Sequence, residues 1–516
     1  MHGGALEAGS EAAPFLQKLT ITLHGDRFTS VEIPEIGAKV IGVMNRAKDA
    51  TAASSLGTQG GVASMAAMGD PLDPAMLVGR LELHGAPRLR VWTRLAASAL
   101  NTTDTLLLAE DVDWVVGERV AVMSSSPDFA EAEEVTVTAV LGPRSLRVTP
   151  PFKFDHVARV LHAGQWGHSD VDLRPEVGLL SRNVVVQGDD ASAAQQFGVH
   201  NIATHGGILR YENVEVRRCG QAFNLGRYAT HMHMMGDTGV LSYVRHNSIH
   251  DSFNRMTTVH ATSYTSVKNN FGFRIMGHSL FLEDGAEFFN SLEGNLIAGT
   301  VPSYALLKSD SRPASYWTAS PTNFWRGNVA AGCSTDGFWF QLGKHPHGPS
   351  YTPSICPQNS PLGEFFGNSA HSNGGKGIRI YPQYKPYVVP CDETSGAAPQ
   401  AFVNFTAWRN GGQGLFARLV GALRYVNFKG VENDGGELEQ VAHVGTGFPG
   451  AVSLYSATDA NVVNGLFVGV MDPARLPLPV GAPGWAGNKV AVITPHHEFF
   501  YVNGAQLLTM APLALA

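Results

Sequence analysis

The sequence predicts an all-β fold, with a right-handed parallel β-helix as its main body. Three observations lead there. Short apolar strands alternate with Asn and Gly turns from about residue 180 onward. Asn247, Asn270 and Asn295 recur at intervals of 23 and 25 residues. Charged residues make up only 16% of the 516 residues, while glycine numbers 57. That composition suits turn-rich β structure better than helical bundles.

The elements follow in chain order. Residues 15–44 ("FLQKLTITLHGDRFTSVEIPEIGAKVIGVM") alternate apolar and polar positions between Gly and Pro breaks and read as short antiparallel strands. Residues 45–79, rich in Ala, Gly and Met, have the composition of a disordered insertion. Strands resume at "GRLELHGAPRLRVWTRLA" and continue through "EEVTVTAVLGPRSLRVTP". Residues 1–160 are therefore expected to form a first β domain, and residues 161–516 the β-helix.

Within the second part the phrases "VRHNSIHDS", "VKNNFGFRIMG", "LEGNLIAGT", "WRGNVAAGCSTDGF", "FFGNSAHSNGGKGI" and "FVNFTAWRNGGQGL" repeat one plan. Each has a strand, an Asn or neighbouring turn residue, a second strand, then Gly. Asn328 to Gly337, Asn368 to Gly377 and Phe405 to Gly414 keep the same spacing. Asn is expected at the corners because it tolerates left-handed backbone and can bond its own turn. Longer intervals, such as 328 to 368, are expected to carry loops projecting from one edge. A β-sandwich would not produce a repeat near this length.

Composition also bounds function. The net charge is −7 with Lys and Arg scattered, which argues against nucleic acid. Cys219, Cys333, Cys356 and Cys391 show no C-x-x-C spacing, and so no zinc or redox motif. Cys356 and Cys391 flank one loop-rich stretch and form a disulfide candidate in an extracellular setting. Asn101-Thr-Thr and Asn404-Phe-Thr are glycosylation candidates compatible with secretion. No apolar run reaches membrane-spanning length and no signal peptide is visible. The start, "MHGGALEAGSEAAPF", reads like the interior of a β domain, so a truncated N-terminus is expected. An extracellular or cell-surface location is inferred indirectly, with any membrane anchor outside this chain.

Several phrases resemble a known family. "GGALEAGSEAAPFLQKLTITLHGD", "GRLELHGAPRLRVWTRLA" and "DVDWVVGERVAVMSSS" resemble the eight-glycine (G8) domain of large cell-surface proteins. "VDLRPEVGLLSRNVVVQGDD", "GRYATHMHMMGD", "SYVRHNSIHDSFNRMTTVH", "MGHSLFLEDG" and "GFWFQLGKHPHGPS" resemble the pectin-lyase-like β-helix that follows it in fibrocystin, fibrocystin-L and the CEMIP-like hyaluronan-binding and hyaluronan-degrading proteins. "LLKSDSRPASYWTASPTNFW" and "SICPQNSPLGEFFGNSAHS" resemble the fibrocystin-L branch. This resemblance implies receptor-like surface proteins without a firm catalytic role on one side. On the other it implies polysaccharide-degrading enzymes associated with calcium. The 45–79 insertion departs from the family pattern.

Candidate site residues gather between 227 and 310. In a strand, His231 and His233 share one face. Stacked coils would put "THMHMM", "TTVHAT", "SLFLED" and "ALLKSD" on successive rungs. His231, His233, His260, Glu283, Asp284, Lys308 and Asp310 would then form a polar column, with Arg227, Asp237, Arg255 and His278 close in sequence. Such a face suits a polysaccharide, and His233, His260, Glu283 and Asp284 are the catalytic candidates for moving a proton. A calcium ion or an arginine would stabilise negative charge there. Polar ladders that only brace the stack are the bland alternative. Zinc requires three converging imidazoles, and nothing in the sequence demands it, so no metal site is expected.

Trp317, Trp325 and Trp339 offer either a sugar-stacking platform or ordinary packing. Three functions compete: a surface module binding a glycan or a cell-surface protein, a polysaccharide depolymerase, and a rigid spacer. An enzyme would show His233, His260, Glu283 and Lys308 pointing into an open groove. A spacer would show them buried and paired with one another.

Overall fold

The computed structural model describes residues 1–47, 76–164, 167–441, 452–454, 461–468, 502–503 and 506–508. Among these residues three parallel sheets of 12, 12 and 11 strands wrap around one apolar interior, forming a parallel β-helix. One coil shows the plan: Ser248–Ser252, Thr257–Thr262 and Ser266–Lys268 contribute one strand to each sheet, and Phe271–Met276 starts the next coil. Inward positions such as Leu280, Tyr316, Phe338, Ile378 and Leu415 stack rung upon rung.

Asparagine has two roles at the corners. As the sequence suggests, Asn213, Asn269, Asn404, Asn427 and Asn464 take the left-handed position, which His246, Gly294, Gly327 and Gly367 fill at other coils. The next residue, Asn247, Asn270, Asn295, Asn328 or Asn368, bonds the neighbouring coil instead of its own turn. Asn270 Oδ1 accepts from the Asn247 backbone N–H at 3.0 Å, and Asn270 Nδ2 donates to Asn295 Oδ1 at 2.9 Å. The same bonds run through Asn328 to Asn368. The spacing was legible because one ladder must recur once per coil. Where the interval lengthens to 40 residues, the chain between Asn328 and Asn368 includes the loop 341–363.

Residues 15–44, expected as antiparallel strands, run parallel to their neighbours. Leu19–Leu23 pairs with Val184–Gly188, and Val40–Val43 with His200–Thr204. Ala5–Ala8 pairs with Arg80–His84 in the third sheet. These segments form the first coil of the helix. Alternation marks a half-buried strand and carries no information about the direction of its neighbour. Most of the expected 45–79 insertion, residues 48–75, lies outside the described residues. Its ends form a short antiparallel pair, Arg46–Ala47 with Met76–Leu77.

Residues 92–179 contribute a six-stranded antiparallel sheet. Its own core includes Trp114, Val120, Val122 and Phe152. One side packs Val91, Ala121, Met123 and Leu180 against Phe271, Phe273, Leu296 and Val329 of the helix wall. Ion pairs pin the junction: buried Glu176 meets buried His371 at 2.7 Å, and half-buried Arg119 meets buried Glu215 at 2.9 Å.

Candidate functional site

His231 and His233 lie on the strand Thr230–Gly236, with Met232 between them turned into the core. The two histidines therefore share the outer face, as the i, i+2 spacing requires. His233 stands beside His260 of the next coil in register, and a bulge breaks the pairing just past His233. The rings of His231 and His233 are 4.9 Å apart, and those of His233 and His260 4.8 Å. His231 and His260 are buried, while His233 is half-buried.

Neighbours hold each ring in place. His231 Nδ1 donates to the Gly226 carbonyl at 3.0 Å, and its Nε2 has no hydrogen-bond partner. His233 Nδ1 and His260 Nδ1 face each other at 3.1 Å. His260 Nε2 donates to Asp284 Oδ2 at 2.6 Å, and Ser350 Oγ donates to the same oxygen at 2.7 Å. Glu283 lies with one buried oxygen lacking a hydrogen bond, 3.9 Å from His260 Nδ1 and 3.8 Å from Arg255 Nη1.

Burial penalises a charged imidazole and holds His233 down at about 3; the neighbouring His260 adds to the shift. His231 falls well below its ordinary value for the same reason. At His260 burial also lowers the pKa, but the hydrogen bond to Asp284 and the charge of Glu283 outweigh it and bring the group to about 9. One charged and one neutral imidazole thus sit side by side.

Glu287 was not singled out from the sequence. Its buried carboxyl accepts from the backbone N–H of Ala261, Asp284 and Gly285 at 2.9, 2.9 and 2.8 Å, fixing the turn that carries Asp284. Burial pushes its pKa up to about 7. Ser350 was not singled out either, although its loop, "GKHPHGPS", is part of the family resemblance. That loop crosses Asp284, where the His347 N–H donates to the Asp284 carbonyl at 2.8 Å. It continues to Cys356, which is disulfide-bonded to Cys391.

The rest of the expected column divides. Arg255 and Asp310 are wholly buried and pair at 3.0 Å, with the guanidinium 3.5 Å over the Phe281 ring and bonded to the Tyr228 hydroxyl at 3.1 Å. His278 is buried against Phe281 and Trp317, and its Nδ1 accepts from the Ala314 N–H. These three are buried and paired within the wall. "ALLKSD" is not a rung: Lys308 and Asp310 lie on the short 3₁₀ turn Lys308–Ser311, and the next rung is Ala314–Thr318. Lys308 is exposed on that turn. The longer coil therefore places the lysine on a turn between rungs, where the sequence suggested a rung. Arg227 is half-buried and packs over Gly37, whose φ of +79° and lack of side chain leave room for the guanidinium. Asp237 is exposed at the start of a 3₁₀ turn beyond the bulge.

Trp325 lies in the helix core, and Trp317 and Trp339 pack with Phe281 in a separate cluster. All three are packing residues. Asn101 is exposed in a turn, and the Asn404 side chain accepts from Asn427 in a further ladder.

A calcium ion needs six to eight oxygen ligands. The donors here are mostly imidazole nitrogens, and the Asp284 Oδ2 oxygen already receives two hydrogen bonds. The site does not fit calcium. His231, His233 and His260 do present ligand atoms all within 4.8 Å of one another. The fold thus assembles the three converging imidazoles that the i, i+2 spacing permits but does not demand.

A G8 domain followed by a CEMIP-type β-helix is the class of protein defined by fold and sequence together. The G8 domain model matches residues 1–96 and the CEMIP beta-helix model residues 196–378, a span that holds every residue of the histidine site. The chain is 32% identical to mouse fibrocystin-L over 480 residues, which is 85% of this chain and 10% of that protein. It is 33% identical to the human cell surface hyaluronidase CEMIP2 over 321 residues, 53% of this chain and 23% of that protein. The resemblance read from the sequence stands, and the chain spans about a tenth of the length of its fibrocystin-L relatives. The tailspike gp61 of Pseudomonas phage phi297 overlaps 89% of this chain and 70% of its own at 9% identity, with a TM-score of 0.18, and nothing about activity follows from it.

Proposed function

We propose that this chain is the extracellular, ligand-binding part of a fibrocystin-L-like surface protein, and that it takes an acidic polysaccharide at the face carrying His233, His260 and Glu283. The observation that carries the proposal is the incomplete pairing of this face. Arg255 and Asp310 satisfy each other in the wall, whereas Glu283 keeps a buried oxygen without a hydrogen bond and His233 remains partly open to solvent. A polar group left unmatched in a folded wall costs about 1–3 kcal/mol, a cost that a bound ligand can relieve. The similarity to fibrocystin-L supports the surface location, and the exposed Asn101 sequon and the Cys356–Cys391 bond fit an oxidising compartment. A cell-surface protein remains the other class of partner.

A depolymerase reading also has a specific support. The chain is similar to a protein named as a hyaluronidase, and Glu283 and Asp284 flank His260 as an acid–base set would. One experiment separates the readings: the purified chain is mixed with acidic and neutral polysaccharides, with and without Ca²⁺, and binding and polymer size are followed. Saturable binding of an acidic polymer, lost in His260→Ala with the fold intact, is the expected result. Falling polymer size would make the chain an enzyme. No interaction with any polymer would leave the spacer or protein-receptor role.

A further inference from the structure

The histidine trio has a geometry that sugar recognition does not require. His231 donates its Nδ1 proton to the Gly226 carbonyl, and His260 donates its Nε2 proton to Asp284. His231 Nε2 and, once an ion displaces its proton, His260 Nδ1 therefore point away from these acceptors as ligand nitrogens. His233 adds Nδ1, 3.1 Å from His260 Nδ1. Two ligands on one tetrahedral ion with bonds of about 2.0–2.1 Å lie about 3.3 Å apart, so that pair is already nearly at ligand spacing.

The acceptors behind the rings matter as much as the rings. Metal-bound histidines almost always donate their other N–H to a carboxylate or backbone carbonyl, which fixes the tautomer and the ring plane. Asp284 and Gly226 supply one of each, and Asp284 is itself held by Ser350.

Two buried atoms point independently to a missing partner. His231 is only 2% exposed, yet its Nε2 has no hydrogen bond. Glu283 likewise keeps a buried Oε2 without one, close to His260 Nδ1. Native interiors rarely leave such atoms unmatched. Imidazole-rich donor sets select zinc, copper or nickel over calcium and magnesium.

We infer that His231 Nε2, His233 Nδ1 and His260 Nδ1, with Glu283 as fourth donor, form a binding site for a divalent transition metal ion of the zinc class. The half-exposed His233 gives the ion its route from solvent. The ion would use three of the side chains named in the glycan reading, His233, His260 and Glu283, but its binding is measured without any sugar.

The purified chain is stripped with a chelator, confirmed as folded by circular dichroism, and dialysed against Zn²⁺. One equivalent is expected to bind, with excess Ca²⁺ failing to displace it, and Co²⁺ in its place should give the intense visible absorption of a tetrahedral ion. His233→Ala, a half-exposed position, is expected to remove binding. Asp284→Asn should weaken it about 10–100-fold. Lys308→Ala should leave it unchanged. A folded wild-type chain that takes up no zinc overturns the assignment, and so does a folded His233→Ala chain that binds as the wild type does. If His233→Ala fails to fold, Glu283→Gln serves instead: weakened binding supports the site, and undiminished binding removes Glu283 from it. Failure of polysaccharide binding with zinc still bound would sink the glycan reading alone.

Discussion

Asn328 holds four hydrogen bonds in the wall. Its Oδ1 accepts from the backbone N–H and the side chain of Asn295, and its Nδ2 donates to the Leu292 carbonyl and to Asn368. Asn328→Ala removes all four and orphans buried groups on both neighbouring coils, each costing about 1–3 kcal/mol. We expect a loss of several kcal/mol in chemical denaturation, larger than for an exposed asparagine such as Asn101. If the loss stays within experimental error, the ladder is ornament. At this scale the sequence was a good guide to position and a partial one to purpose: left-handed corners at Asn213, Asn269, Asn404, Asn427 and Asn464 were legible, and the ladder between coils was not. Both the ladder and a turn-capping role predict Asn once per coil, so spacing alone could not tell them apart. His231 and His233 were placed on one outer face correctly, because a period of two is a property of the strand itself. That His231 Nε2 would lack a partner could not be read, because it depends on where Gly226 bends.

Elements dock through charges as well as apolar surface. Arg119 of the antiparallel sheet bonds Glu215 of the helix wall, and Glu215 bonds His250, which bonds Asp251 at 2.7 Å. Burial raises the Glu215 pKa, but His250 and the arginines outweigh it and hold the group at about 2; Asp251 is likewise held at about 2. Both values lie below the ordinary 4.5 and 3.8, so their stabilisation is complete above that range and fades as pH falls toward 2. His250 is raised above 6.5, since Asp251 and Glu215 overcome the effect of burial. Its contribution is full below 6.5 and disappears as pH rises through the raised value. Melting temperature followed across pH should therefore peak between these limits, and Glu215→Gln should flatten the curve on both sides. An unchanged profile would show that the junction owes nothing to these charges. The roof over Asp284 is held covalently. Cys391→Ser should cost about 3–4 kcal/mol for a closed loop of 35 residues, read as a lower melting temperature under oxidising conditions. Equal melting of variant and wild type would mean that the reduced loop keeps its native restraint. Lys308 shows where element-level reading stopped. "ALLKSD" was assigned to a rung by analogy with its predecessors, but the lengthened coil inserts a 3₁₀ turn there.

The whole molecule is continuous where the sequence suggested two separable parts. Strands from residues 5–8, 19–23 and 40–43 cap the same three sheets that run on through the β-helix. A chain lacking residues 1–47 would expose Leu81, Val184 and Val186, all buried here. Its loss of cooperative unfolding and its aggregation, measured by calorimetry and light scattering, are the expected outcomes. A soluble, cooperatively melting truncated chain would instead place the first coil outside the folding unit. By itself the sequence determined the all-β class, the coil period, the outward pairing of His231 with His233 and the resemblance to G8 and β-helix proteins. These are local or recurring features, written in alternation, spacing and motif. Only the tertiary structure decided which strands run parallel, that Arg255 and Asp310 are spent in the wall, and that His231, His233 and His260 converge. Each depends on contacts between residues tens of positions apart, where loop length sets what meets what and no periodicity records the result.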